Sequence, residues 1–247
     1  MTKTKTHRIL LALDPGSPVN EALESAVDLA LEQDAELHLM FSESGYLREV
    51  AGLPFCREVE FKSSRERQLS PQQVDRSLRS LARQLEHAFK QTLQTTHLRG
   101  SFMLHQDSRQ QLLRRCGGGD VLWLSPATLM IRIPSARRPP RDTLYLVYVD
   151  SPTGEHAISL ANSLLRRGYK RLLVFVPDTL ELQNLSARFE LPAEIIPLGD
   201  DLQTLQQAVA LRATNTLLIP EDYLKRAQVD ALLEAFSHSR LEMLLVL

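Results

Sequence analysis

Cysteine is nearly absent. Two residues, Cys56 and Cys116, in a chain of 247 cannot build a disulfide framework, and neither stands at metal-ligand spacing. The chain therefore reads as a protein of a reducing compartment, the cytoplasm. Long apolar runs are missing too: none approaches the roughly 20 residues that span a bilayer. The opening MTKTKTHRILLALD carries too short an apolar run for a signal peptide. No strong charge of either sign is present. The net charge of -1 arises from 20 Lys and Arg against 17 Asp and Glu over 1–142, and 9 against 13 over 143–247. That asymmetry is too weak for a nucleic-acid surface. Glycine is scarce, at 10 residues, and where it is scarce matters most.

What is present is an alternation of apolar runs and amphipathic stretches. HRILLALD, from residue 7, is apolar almost throughout, the pattern of a buried parallel strand. Ser17 and Pro18 then suit the cap and first position of a helix. Ala22, Ala26, Leu29 and Ala30 recur at helical spacing, and AELHLMFSE follows as a second strand. The order repeats late in the chain. TLYLVYVD is a strand, Ser151-Pro152 opens a helix, Gly168 ends it and KRLLVFVPD is the next strand. A shift of 135 residues places Ala22 on Ala157, Ala26 on Ala161, Leu29 on Leu164 and Leu37 on Leu172, which indicates an internal duplication.

Residues 43–70 form a polar, irregular insertion with apolar points at Leu53, Phe55, Val59 and Phe61. Ser70, Pro71 and Gln73 then read as a capping box opening a long helix. Its buried stripe runs through Val74, Leu78, Leu81, Leu85, Ala88 and Phe89; its other face carries Arg76, Arg79, Arg83 and Lys90. GSFMLH, DVLWLS, AEIIPLGD, NTLLIP and RLEMLLVL are further strands with helical stretches between them. Such alternation predicts parallel sheets with helices on both faces.

A strand ending in Asp14, a Ser-capped helix, a long second helix and the apolar DVLWLS strand together resemble the universal stress protein family, in both halves. The resemblance implies an α/β fold of two tandem universal-stress-protein-like domains, each a parallel sheet with helices on both faces. They span 1–142, with the 43–70 insertion and a basic, Pro-rich linker at its end, and 143–247, which is shorter. In nucleotide-binding members, a motif of Gly, two residues, Gly, nine residues, then Gly with Ser or Thr follows the fourth strand. Its backbone N–H groups approach the phosphates closely. The corresponding stretch here, SPATLMIRIPSARRPPRD over 125–142, contains no glycine. The second copy, PEDYLKRAQVDALLEAFSHSR, contains none either, and places Glu221 and Asp222 where phosphates would approach.

Asp14 matches the family's Asp that contacts adenine or ribose, and is the one candidate cofactor-binding residue. Without the glycine loop, a turn residue at the helix start is the favoured role for Asp14, and more firmly for Asp150. Gly117-Gly118-Gly119 precedes its strand, whereas phosphate loops follow one, so it ends a helix instead. Arg132, Arg137, Arg138 and Arg141 read as a solvated linker. No aromatics interleave with them, which argues against single-stranded nucleic acid. His38 is a satisfied strand residue, and Ser125 lacks the glycines of a nucleophile elbow. Cys56 and Cys116 have basic neighbours but no base, and a structural role is favoured for both.

The resemblance, with its glycine motif missing, implies a non-catalytic stress-response or regulatory interaction protein with an unidentified protein partner. The sequence predicts no metal, no nucleic acid, no membrane and no tight ATP binding. The alternative is an adenine-nucleotide sensor, binding ATP or AMP through Asp14 and a phosphate site built from the linker arginines. An adenylyl-transfer enzyme is remote, because its phosphate loop is missing. Leu53, Phe55 and Phe61 are expected to cover the cleft beside Asp14. The closing strand, 241–247, is expected to pair either with 128–133 inside one chain, giving a monomeric pseudo-dimer, or with its symmetry mate in a homodimer.

Overall fold

The computed structural model describes residues 7–17, 19–42, 45–59, 64, 66–105, 109–125, 143–177, 185–198, 205, 207, 209, 216–226, 231–233, 236 and 241–247. The expected linker lies outside them. In the first half, strand β1 (Arg8–Leu13) leads to helix α1 (Val19–Gln33) and strand β2 (Glu36–Ser42). The insertion holds α2 (Gly45–Ala51) and the strands β3 (Arg57–Val59) and β4 (Glu66–Gln68). Then come α3 (Pro71–Thr96), β5 (Gly100–His105), α4 (Arg109–Arg115) and β6 (Asp120–Leu124). The second half contains β7 (Thr143–Val147), α5 (Pro152–Leu165), β8 (Arg171–Pro177), a 3-10 turn at Ser186–Arg188 and β9 (Ala193–Leu198). It closes with β10 (Thr216–Pro220), α6 (Glu221–Arg226) and β11 (Glu242–Val246).

Nine strands form one sheet in the order β5-β2-β1-β6-β11-β10-β7-β8-β9. Every neighbouring pair is parallel except β6 and β11, which run antiparallel with Trp123 opposite Leu244 and Leu122 opposite Leu245. The sheet is thus two parallel blocks meeting head to tail. Counting strands within each half, the first block runs third-second-first-fourth and the second third-second-first-fourth-fifth. The strand order of the two blocks is alike, and moving β2 by 135 residues gives the bounds of β8. Ala22, Ala26 and Leu29 and their counterparts Ala157, Ala161 and Leu164 are all buried.

Period-two alternation sends side chains to opposite faces, and helices cover both. Leu11, Trp123, Leu146 and Leu244 join α1, α3 and α5 residues in one core cluster. Leu10, Leu122, Tyr145 and Leu245 join Leu112 of α4 and Leu224 of α6 in the other. Across the seam, Gln33 donates to Ser163 Oγ at 2.9 Å and Arg167 reaches Glu32 at 3.1 Å, so α1 and α5 are tied side by side.

Three expectations change. The closing strand pairs within the chain, but with β6; residues 128–133 lie outside the described residues. Ser70 Oγ caps α3 by accepting from the Gln73 N–H at 3.3 Å, yet the reciprocal arm of the box is not made, because Gln73 Oε1 is buried without a partner. Among the described residues of the insertion, none lines the cavity at Asp14. The insertion's two short strands make a separate two-stranded sheet, and α2 is held to α3 through Arg48 and Asp75. Phe55 stays 75% exposed, with Leu53 and Val59 exposed beside it. Phe61 lies outside the described residues.

Candidate functional site

In open α/β sheets, ligands sit outside the carboxyl ends of the strands, where strand order reverses. In the first half that point lies between β1 and β6. Asp14 follows β1 directly. Its N–H donates to Ser17 Oγ at 2.9 Å, and its carbonyl accepts from the Ser17 N–H at 2.9 Å, closing a tight turn before α1. The Ser125 N–H donates to the Ala12 carbonyl at 3.2 Å and ties the end of β6 to β1. Asp14, Ser42, His105 and Ser125 then converge from the ends of β1, β2, β5 and β6 on one cavity, closed by Ala12, Leu13, Leu112 and Leu124. It holds only about 20 Å³ of water-accessible space. That is room for about one water. Ser125 Oγ faces it without a partner.

The corresponding point of the second half lies between β7 and β10, and here the chain supplies its own anion. Ser151 Oγ caps α5 by accepting from the Gly154 N–H at 3.1 Å. Glycine is required at 154, because a Cβ there would stand 1.9 Å from the Val149 carbonyl oxygen. Thr153, in the first turn, donates to Asp222 Oδ2 at 2.7 Å. The carboxylate that follows β10 therefore lies at the positive end of α5, where a phosphate would be drawn. Asp222 thus stands beside the first turn of α5. Glu221 lines a separate cavity of about 180 Å³ with Leu113, Cys116, Gly117, Gly118, Leu224 and Leu247, at the seam between the blocks.

Asp14 and Asp150 do not share a site. The antiparallel join reverses strand direction, so β1 and β7 end at opposite edges of the sheet. Asp150 is exposed in the loop ahead of α5.

The glycine run behaves as a helix stop. It leads from α4 into the amino end of β6, with Gly119 at φ 87°. The Gly117 N–H donates to Asp120 Oδ2 at 2.8 Å, and the Arg8 guanidinium grips the same carboxylate, with Nε donating at 3.0 Å. This hydrogen bond raises the Arg8 pKa despite partial burial. The buried Asp120 carboxylate escapes sequence reasoning, since only the β1–β6 register brings Arg8 opposite it. Burial, with the Asp120 charge second, pushes the Cys116 thiol up to about 12. Its basic neighbours do not activate it, and Cys116 Sγ donates to the Leu112 carbonyl at 3.3 Å. His38 is satisfied by Ser101 Oγ at 2.8 Å and Glu36 at 3.4 Å. Among the described residues, no group of three or more His, Cys, Asp or Glu is placed to hold a metal, and no helix is long and apolar enough to cross a membrane. Arg132, Arg137, Arg138 and Arg141 lie outside the described residues.

No protein-family model matches the sequence, and no curated protein does. Among solved structures, the chain is similar to a universal stress protein from Archaeoglobus fulgidus DSM 4304, at 7% identity and a TM-score of 0.45 over 98% of this chain and 96% of that one. It is also similar to a functionally unknown protein from Pseudomonas aeruginosa PAO1, at 12% identity and a TM-score of 0.45, covering 99% and 93%. A putative universal stress protein from Pseudomonas aeruginosa UCBPP-PA14 aligns at 13% identity and a TM-score of 0.40, over 100% and 95%.

Proposed function

We propose that this chain is a non-catalytic interaction protein of the stress-response type, and that neither half binds ATP tightly. One observation carries the proposal: the Asp222 carboxylate, bonded by Thr153 at 2.7 Å, stands at the α5 N-terminus where a phosphate would have to bind. Moving a second anion beside that carboxylate costs energy in a site of reduced dielectric. Two further features support it. The first-half cavity at Asp14 has space for one water. The sequence after β6, from 125 to 142, has no glycine with which to approach a triphosphate.

An absence of catalysis accords with the same geometry. Ser125 has no base hydrogen-bonded to its hydroxyl, and nucleophile activation needs one within reach. The Cys116 thiol, at about 12, is almost wholly protonated at neutral pH.

Mass spectrometry of small molecules released from freshly purified, denatured protein tests the reading. The proposal expects no adenine nucleotide at stoichiometric yield. A bound nucleotide that disappears in Asp14→Ala would instead establish the sensor.

A further inference from the structure

Helix α3 presents two faces of opposite character. Its apolar side is spent: Leu78, Ala82, Leu85 and Phe89 are buried in the core. On the opposite side Arg76, Arg79, Arg83, His87 and Lys90 are exposed, spaced three or four residues apart. Such spacing keeps them on one row along the helix. Arg76 to Arg83 covers two turns, about 10.5 Å at 1.5 Å per residue.

The row differs from the rest of the surface in how its charges are met. Arg48, Arg57, Arg99, Arg166, Arg171 and Arg188 each pair with a carboxylate of this chain. Lys90, at the far end of the row, is bound to Glu86 at 2.8 Å. Arg76, Arg79 and Arg83 have no ion pair among the described residues. Three adjacent guanidinium forks on a rigid 26-residue helix, aimed outward and unneutralised, form a cationic ridge.

We propose that this ridge docks a carboxylate-bearing helix of a protein partner, which deepens the interaction reading above by naming the partner's chemistry. Charge complementarity selects carboxylates, which planar guanidinium groups hold bidentately. The spacing selects a helix, since acidic residues at i, i+3 and i+7 of a partner repeat at the interval of the arginines. Nucleic acid fits poorly. The ridge is one residue wide, Asp75 and Glu86 flank it, its exposed row carries no aromatic for base stacking, and the sequence pI is about 6.7. A membrane fits no better, because an interfacial helix inserts its apolar face and that face of α3 is in the core.

Fluorescence anisotropy with a fluorescein-labelled, Ala-rich helical peptide bearing Glu at i, i+3 and i+7 repeats tests this. The expected result is saturable binding at roughly 50 mM salt that falls steeply toward 0.5 M, since exposed charges are screened. The triple variant Arg76→Gln, Arg79→Gln, Arg83→Gln weakens it by about tenfold or more. A charge-matched control, Arg57→Gln, Arg99→Gln, Arg171→Gln, weakens it by less than about threefold. Should the ridge variant not fold, Arg83→Gln alone is expected to cost about threefold. No binding, equal losses in ridge and control variants, or tighter binding of a 20-base-pair duplex or of phosphatidylglycerol vesicles than of the peptide would each overturn the proposal. Nucleotide release from the purified protein would defeat the parent reading and leave this titration unaffected.

Discussion

The Thr153 hydroxyl donates to the Asp222 carboxylate at 2.7 Å, joining the first turn of α5 to the first turn of α6 across the carboxyl ends of β7 and β10. Thr153→Val removes the donor while keeping the shape. A hydrogen bond to a charged acceptor contributes about 1.5–3 kcal/mol, and partial exposure places this one at the low end. Urea denaturation is expected to show a loss of about 1–2 kcal/mol with an unchanged m-value. A loss under about 0.3 kcal/mol would mean the carboxylate is held by other groups.

The seam offers a covalent check. Leu124 and Met243 face each other across the antiparallel β6–β11 ladder. Directly opposed residues there stand about 4.5–5.5 Å apart at Cα, within disulfide range. With Cys56 and Cys116 replaced by Ser, the double variant Leu124→Cys, Met243→Cys is expected to form an intrachain bridge on oxidation. Non-reducing electrophoresis would then show a compact, faster-running monomer band. A covalent dimer as the main product would mean that β11 pairs with another copy.

His156 supplies a pH prediction. It sits on α5 at 2% exposure, and burial, with the charge of His7 second, lowers its pKa from 6.5 to about 4. The folded state thus resists protonation that the unfolded chain accepts, and stability rises with pH between those two values. The contribution is complete above about pH 6.5 and is lost as pH falls toward 4, amounting to at most about 3 kcal/mol at 1.36 kcal/mol per unit. His156→Gln should flatten the fall in melting temperature between pH 6.5 and 4 relative to wild type. An unchanged slope would assign the acid sensitivity to other groups.

Much of the architecture is legible in the sequence, for physical reasons. Central strands buried on both faces, such as those in HRILLALD and TLYLVYVD, read as continuous apolar runs. The two edge strands, in GSFMLH and AEIIPLGD, still stand out as apolar stretches though they are only partly buried. Ser70-Pro71 and Ser151-Pro152 mark their helices because capping is local chemistry. Partner choice between strands is not local. Nothing in RLEMLLVL distinguishes β6 from 128–133 as its neighbour, so the antiparallel seam emerges only in three dimensions. The same holds for Arg8 with Asp120 and Thr153 with Asp222, contacts 112 and 69 residues apart in sequence. The insertion misled for a different reason. Apolar side chains at Leu53, Phe55 and Val59 suggest burial, but all three are exposed. The strands β3 and β4 pair only with each other rather than joining the main sheet.

Neither half is proposed to bind ATP tightly, with the Asp222 carboxylate at the α5 N-terminus and a water-sized cavity at Asp14. Thermal unfolding of the intact chain with and without millimolar Mg-ATP tests that proposal most directly. A ligand that binds only the folded state stabilises it by about 2.7 kcal/mol at a hundredfold excess over Kd. The melting temperature is expected not to move with ATP, ADP or AMP. A saturable rise with ATP, abolished by Asp14→Ala, would contradict it.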